Sequence, residues 1–177
     1  MTLNKENHQD VTASCADPFM KMALEEAVQA WDEGEVPIGA VILNTAGVVT
    51  ASDHNRTIGL NDPTAHAEML VIRKAAALTG NYRLTGTVLY VTNEPCVMCM
   101  AAAIHSRVSR VVYGAADPKW GGAVSLYRLP ADNRFNHRIE IIEGICEEAC
   151  RQIMVDFFKL KRHKDYCAGN GRIKDKP

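Results

Sequence analysis

The chain has 177 residues, of which 47% are hydrophobic and 23% are charged, and its formal net charge is -1. This length supports one well-packed domain and is too short for two generous ones. The near-neutral charge argues against a protein that coats nucleic acid through bulk electrostatics, so any nucleic-acid contact has to be local. No segment approaches the roughly 20 apolar residues that span a bilayer, and no signal peptide is recognisable, so we expect a cytoplasmic protein without a membrane segment.

The first half of the chain is predicted to hold two helices and a hairpin. Residues 1–16 are mostly polar and read as a flexible leader. Asp17-Pro18 then predicts an N-cap with proline in the first turn of a helix that runs to Gly34. Apolar segments at 38–43 and 48–52 flank a turn and predict a β-hairpin, with Asn55 just past its second strand. Asp62-Pro63-Thr64 predicts the start of a second helix, whose first turn carries His66 and Glu68.

The second half alternates strands with helices. A buried strand is predicted at 88–91, and Pro95 after it suits the first turn of a helix that carries Cys96 to about His105. Further strands are predicted at 108–113 and 139–142, separated by loops with room for a short helix. A last helix is expected from about Glu147 to Lys164, before a flexible tail over 165–177. This order implies a mixed sheet with helices on both faces.

The cysteines bear on metal binding. In the cytoplasm thiols are normally kept reduced, so a pair at metal-ligand spacing indicates a metal or catalytic site rather than a disulfide. Cys96 and Cys99 have that spacing. The four others match no metal spacing and are interpreted as core thiols or bystanders; they are Cys15, Cys146, Cys150 and Cys167.

Two predicted strand-to-helix junctions carry the chemistry of a zinc site. His66-Ala67-Glu68 and Pro95-Cys96-Val97-Met98-Cys99 match the H-x-E and P-C-x-x-C signature of zinc deaminases. Residues three apart share one face of a helix, and a helix N-terminus favours thiolate, so both cysteines can bind one ion. Three ligands leave a fourth tetrahedral position for water, as catalytic zinc requires.

Glu68 is the candidate proton shuttle. It lies two residues from His66 and outside the ligand set, and a carboxylate can act as both general acid and general base. In this scheme Glu68 takes a proton from water, hands it to the ring nitrogen beside the attacked carbon, and helps ammonia leave. The alternative is a structural zinc site, which needs a fourth protein ligand. His105 and His54 are candidates only by residue type.

The sequence resembles the cytidine deaminase superfamily, and within it the bacterial tRNA-specific adenosine deaminases, from about Phe19 to Arg162. Beyond the zinc motifs, the resemblance rests on runs around the hairpin, the strand-to-helix junctions and the following strand; they include residues 35–41, 55–56, 62–68, 81–84, 94–99, 105–114 and 117–119, and Gly121-Gly122. It implies a three-layer α-β-α fold with a five-stranded mixed sheet, one zinc ion per subunit, a homodimer, and hydrolytic deamination of the wobble adenosine of a tRNA anticodon to inosine.

The same resemblance implies substrate-binding residues. Asn55 would hydrogen-bond the inserted base, and the backbone at Ala67 would line the pocket. Asp117 and Lys119 would approach the sugar and phosphate of the anticodon loop. The last helix offers two aromatics beside a basic cluster, where single-stranded RNA can stack and pair its phosphates; the candidates are Phe157, Phe158 and Arg162. Periodicity does not decide which phenylalanine faces the RNA.

Two residues depart from the family pattern, and two other functions stay open. Asn93 stands where an apolar residue is usual and Trp120 where a smaller residue is common, which leaves the pocket and the preference for flanking nucleotides open.

The main alternative function is deamination of a free base or nucleotide, above all guanine. A catalytically silent deaminase-fold subunit that only binds RNA is a further alternative, against which the presence of Glu68 argues.

Overall fold

The computed structural model describes residues 12–167, with side chains to residue 163. Most of the predicted leader (1–16) and of the predicted tail (165–177) therefore lies outside the described residues. The elements follow in this order: α1 (Pro18–Asp32), β1 (Gly39–Leu43), β2 (Val49–His54), α2 (Ala67–Thr79), β3 (Val88–Asn93), α3 (Val97–His105), β4 (Arg110–Ala115), a short 3-10 helix (Leu129–Ala131), β5 (Glu140–Ile142) and α4 (Glu147–Cys167).

The five strands form one mixed sheet in the order β2-β1-β3-β4-β5. β1 pairs antiparallel with β2 and with β3, whereas β3, β4 and β5 run parallel. Alternate residues of β1 serve opposite faces, so Ala40 and Ile42 pack with α2 and α3, while Val41 and Leu43 pack with α1 and α4. The predicted three-layer α-β-α fold is confirmed.

Two predicted helix starts are too early. The Asp62 carboxylate accepts hydrogen bonds from the Thr64 N–H (2.8 Å) and hydroxyl (2.7 Å), which closes a turn before the helix. The helix α2 therefore begins at Ala67 with His66 as its N-cap, and α3 begins at Val97 with Cys96 as its N-cap. His66 and Cys96 consequently stand immediately before a helix, where the backbone is still extended.

The interpretation of Cys15 and Cys146 as bystanders is wrong. The two sulfurs form a disulfide, with the Cα atoms 5.2 Å apart. Cys15 precedes α1 and Cys146 precedes α4, and these helices lie side by side on one face of the sheet, which brings the two positions together. Cys15 is buried, so the packed part of the chain includes residues ahead of Asp17. Cys150 is a free, buried thiol, as predicted.

None of the helices in the described part of the chain combines the length and the apolar composition that crossing a bilayer requires.

Candidate metal and active site

His66, Cys96 and Cys99 converge at one edge of the sheet. The His66 Nδ1 atom lies 3.8 Å from Cys96 Sγ and 3.6 Å from Cys99 Sγ, and the two sulfurs are 3.6 Å apart. Zinc bonds of about 2.3 Å to sulfur and about 2.0–2.1 Å to nitrogen place tetrahedral ligand atoms roughly 3.5–3.8 Å from one another. The three atoms therefore already have the spacing that one tetrahedral zinc ion needs.

The fold explains this convergence. The backbone at His66 (φ -74°, ψ 151°) and at Cys96 (φ -69°, ψ 173°) is extended, and neither side chain caps its own helix. Both side chains are thus available to the metal. Cys99 lies three residues along α3, on the same face as Cys96, and is fully buried.

The ligand set has three members within the part of the chain that the structure describes. His66, Cys96 and Cys99 form a group whose ligand atoms lie within 4.8 Å of one another, and no fourth histidine, cysteine or carboxylate joins it. His105 ends α3, roughly 13 Å of helix rise from Cys96. His54 instead contacts Glu26 and Glu33. This arrangement leaves one tetrahedral position open, as in catalytic rather than structural zinc sites.

The thiols differ in their acidity. A hydrogen bond with Cys99, reinforced by His66, lowers the pKa of Cys96 to about 4 against the opposing effect of burial. The same sulfur–sulfur hydrogen bond, together with burial, raises the pKa of Cys99. These contacts favour the thiolate form of Cys96, which is the form that binds a metal cation, and full ligation displaces a proton from Cys99.

Glu68 lies beside the ligands without being one of them. It is only 3% exposed, in the first turn of α2. Burial raises the pKa of Glu68 to about 7, against smaller opposing effects of hydrogen bonding and of His66. A carboxyl group with a pKa near the working pH can accept and donate a proton with comparable ease. Its position and acidity suit the predicted shuttle.

Asn55 and Ala67 are brought together, in a different way from that expected. The Ala67 backbone N–H donates a hydrogen bond of 2.9 Å to the Asn55 side-chain oxygen, and both residues are buried. This bond fixes the orientation of the amide, with its oxygen toward Ala67 and its N–H groups on the other side. Ala67 thus contributes by orienting Asn55, since its own N–H is already used.

A network of polar contacts around the buried His54, next to Asn55, was not predicted from the sequence. His54, 1% exposed, lies with its Nδ1 atom 2.8 Å from Glu26 and its Nε2 atom 3.2 Å from Glu33. The neighbouring Asp53 forms an ion pair of 2.8 Å with Lys74 of α2. These contacts tie the end of β2 to both α1 and α2 and so support Asn55. No local motif marks them, because the partners are more than 20 residues apart in sequence.

Asp117 lies at the same edge, but its carboxylate is occupied within the protein. It accepts hydrogen bonds from the backbone N–H groups of Lys119 and Trp120 (3.0 and 3.1 Å) and from the Asn93 amide (3.2 Å). Asn93 therefore helps to hold the Asp117 carboxylate in place. Asp117 thus holds the loop in place, and Lys119 is exposed.

Glu94 organises this loop and was also missed as a functional residue. Its buried carboxylate accepts backbone hydrogen bonds from Asp117 (3.0 Å), Val124 (2.8 Å) and Ser125 (2.9 Å), and one from the Ser125 hydroxyl. Burial alone would raise the pKa of Glu94, but the hydrogen bonds from Ser125 and the backbone outweigh it and hold the pKa below its usual value. The sequence signal was its position in Glu-Pro-Cys, directly before a metal ligand.

The two phenylalanines of α4 have different environments. Phe157 is buried and packs edge-on against Trp31 with ring centroids 5.1 Å apart, so its ring belongs to the core and not to an RNA-binding surface. Phe158 is 40% exposed, and Arg162 is exposed. Trp31 lies in the last turn of α1, two residues before Glu33, which contacts His54 next to Asn55. The basic end of α4 therefore lies toward the Asn55 edge of the molecule.

Comparisons with known proteins agree with this site. The sequence model of the cytidine and deoxycytidylate deaminase zinc-binding region matches residues 13–115, which include all three ligands and Glu68. The chain is 45% identical over 150 residues to the tRNA-specific adenosine deaminase of Bacillus subtilis (strain 168), covering 85% of this chain and 92% of that protein.

Solved structures show the same relationship. One from a study of A-to-I editing by tRNA:A34 deaminases at the wobble position of transfer RNA has a TM-score of 0.74 and 46% identity, covering 76% of this chain and 97% of that one. Guanine deaminase from Bacillus subtilis has a TM-score of 0.53 and 40% identity, but covers only 55% of this chain and 62% of its own.

Proposed function

Because the chain belongs to the zinc-binding cytidine and deoxycytidylate deaminase family, and within it to the tRNA-specific adenosine deaminases, we propose that it hydrolyses the wobble adenosine of a tRNA anticodon to inosine. The observation that carries the reaction is the convergence of three zinc ligands, with an open fourth position, beside a buried carboxyl of pKa about 7. The choice of substrate is supported by the similarity to tRNA deaminases over nearly their whole length.

The reaction adds water to C6 of the purine and releases ammonia, so protons must move from water to nitrogen. His66, Cys96 and Cys99 would hold a zinc ion, which would supply the Lewis acidity that makes water a nucleophile near neutral pH. Glu68 accepts a proton from the attacking water and delivers it to the ring nitrogen beside C6. It then takes the remaining proton from the hydroxyl group on C6 and donates it to the amino group, which leaves as ammonia when the C–N bond breaks and the C6 carbonyl forms.

The remaining residues hold the substrate. Asn55 donates a hydrogen bond to the inserted base, because its oxygen is already used by Ala67. Lys119 and Arg162 pair with phosphates of the anticodon loop, and Phe158 offers an exposed ring for stacking. Asp117 supports this surface through its hydrogen bonds to the loop. We also propose that the protein acts as a homodimer in the cytoplasm, as the resemblance implies.

A substrate panel tests the function. Zinc-loaded protein is incubated with an anticodon stem-loop that carries adenosine at the wobble position, with free guanine and with cytidine, while ammonia and inosine are measured. We expect inosine in the stem-loop and no turnover of the two small molecules. Turnover of guanine alone would overturn the tRNA assignment in favour of a free-base deaminase.

A Glu68→Gln variant tests the shuttle with little change in shape. Losing a general acid and base costs roughly 10²–10⁴-fold in rate, so kcat should fall by that amount while zinc content stays at one ion per chain. Glu148→Gln, which changes an exposed carboxylate at the start of α4, is the matched control. Unchanged cellular function in the Glu68 variant would favour the silent RNA-binding subunit.

A further inference from the structure

A loop after β4 lies directly against the segment that carries the metal ligand Cys96. Gly121 forms an isolated β-bridge with Cys96, and the Gly122 N–H donates a 2.8 Å hydrogen bond to the Pro95 carbonyl. A side chain at Gly121 would overlap the Glu94 carboxylate. The two glycines therefore allow this close approach, and the residue before them is next in sequence to the one that pairs with a metal ligand.

The residue in that place is Trp120, and it is 70% exposed. Tryptophan is a largely buried residue in most folds, so an exposed indole beside an active site indicates a role in ligand binding. Its backbone N–H is bound to the Asp117 carboxylate, and Asp117 is in turn bound to Glu94 and Asn93. The indole is thus mounted on a loop that is held in one conformation from several sides.

The RNA substrate needs such a surface. To reach the metal, the target adenosine must leave the base stack, so that each neighbouring base loses a stacking partner. An exposed aromatic ring at the rim can replace that partner, because every base has a face that stacks on aromatic side chains. The cationic Lys119 lies next to Trp120 and can pair with the phosphate of the same nucleotide.

We propose that Trp120 is a stacking platform for the base that flanks the target adenosine in the single-stranded loop. The inference rests on the proposed function, in that the substrate is an RNA loop. It makes Trp120 a determinant of substrate binding that is independent of the proton chemistry. Because the Trp120 indole contributes to substrate binding and not to the chemical step, its removal raises KM and leaves kcat nearly unchanged.

The test compares Trp120→Ala and Trp120→Phe with wild type on three stem-loops. One loop carries all its bases, one lacks the base 5′ of the target, and one lacks the base 3′ of it. On the complete loop Trp120→Ala should raise KM about 10-fold, as expected for the loss of one base–aromatic stack, and Trp120→Phe should raise it less. On one of the two abasic loops, wild type and Trp120→Ala should have equal KM, because the stacking partner is gone.

A matched control tests whether the loss of any exposed aromatic side chain has the same effect on KM. Tyr82 is 63% exposed and follows the far end of α2, whose 13 residues carry it roughly 20 Å from His66. Tyr82→Ala should leave KM unchanged on all three loops. The inference is overturned if Trp120→Ala raises KM equally on all three loops, or leaves it unaltered. An equal rise accompanied by a changed oligomeric state would assign Trp120 to a subunit interface instead.

Fluorescence separates this inference from the proposed function. The chain has two tryptophans, so Trp120→Phe retains only Trp31. Adding the stem-loop should quench the indole emission of wild type and leave that of Trp120→Phe nearly constant. If wild type forms no inosine but shows this quenching, the proposed reaction fails and the stacking role stands. Equal quenching in both proteins overturns the stacking role even where inosine is formed.

Discussion

The Asn55 side chain accepts a hydrogen bond at its oxygen, while its amide nitrogen has no protein partner among the described residues. Its oxygen accepts the Ala67 N–H, while the network of His54, Glu26 and Glu33 supports the end of β2 just before it. The amide is thereby oriented before any substrate arrives, which reduces the entropy that binding must overcome.

Two substitutions separate these functions of Asn55. Asn55→Asp keeps an oxygen for the Ala67 N–H but removes the N–H donors, so we expect the melting temperature to stay near that of wild type while kcat/KM falls by about 10- to 100-fold. Asn55→Ala removes both and should lower kcat/KM and stability together. Steady-state inosine formation and thermal unfolding are the measurements. Wild-type kinetics in the Asp variant would show that Asn55 is only a structural residue.

The metal ligands and Glu68 could be recognised from the sequence because their chemistry is encoded in short spacings. The contacts of Asn93 and Glu94 could not, since their partners lie 23 to 31 residues away on a loop without periodicity. The sequence also could not predict that Phe158 is exposed and Phe157 buried, because the ring that faces the core is the one that contacts Trp31.

Element boundaries shifted where side chains compete with the backbone. The helix α2 starts five residues later than Asp62 suggested, because the Asp62 carboxylate closes its own turn with Thr64. The hairpin and the positions of the strands along the chain were close to prediction, because hydrophobic periodicity and turn residues report on them directly. The disulfide was missed, since Cys15 and Cys146 are separated by 131 positions and meet only through the packing of α1 beside α4.

The loop that Glu94 binds should loosen in acid. A carboxylate whose folded pKa is lowered stabilises the protein above its unfolded pKa, and that contribution is lost as pH falls through the folded value. The advantage of wild type over Glu94→Gln should therefore be about 1–3 kcal/mol at pH 7 and should shrink below about pH 4.3. Urea unfolding at a series of pH values measures it. A difference that is constant down to pH 3 would contradict the assignment.

The exposed end of α4 should contribute to RNA binding through charge and stacking. Arg162→Ala should weaken binding of the stem-loop and reduce the slope of log Kd against log salt by about one, whereas Phe158→Ala should weaken binding without changing that slope. Arg151→Ala, at the other end of the helix and paired with Glu148, is the control for a general loss of positive charge. An unchanged salt slope in Arg162→Ala would remove this residue from the interface.

At the scale of the whole molecule, the disulfide joins Cys15 to Cys146, which are 131 positions apart in the sequence. Cross-linking positions so far apart restricts the unfolded chain, which stabilises the folded state by about 2–5 kcal/mol. A reductant should lower the melting temperature of wild type and should not change that of the Cys15→Ser, Cys146→Ser double variant. The inosine-forming rate should be alike in both proteins below their melting points. A wild type that is indifferent to reductant would contradict a stabilising role.

The positions of His66 and Cys96 have a consequence for the protein without its ion. The residue ahead of a helix usually bonds its side chain to the first backbone amides, yet these two residues direct theirs to the ligand cluster. The ion thus anchors the initial turns of α2 and α3, and chelation should let both fray. Amide hydrogen exchange should accelerate around residues 68–70 and 98–100, while the protected strands of the sheet keep their slow exchange.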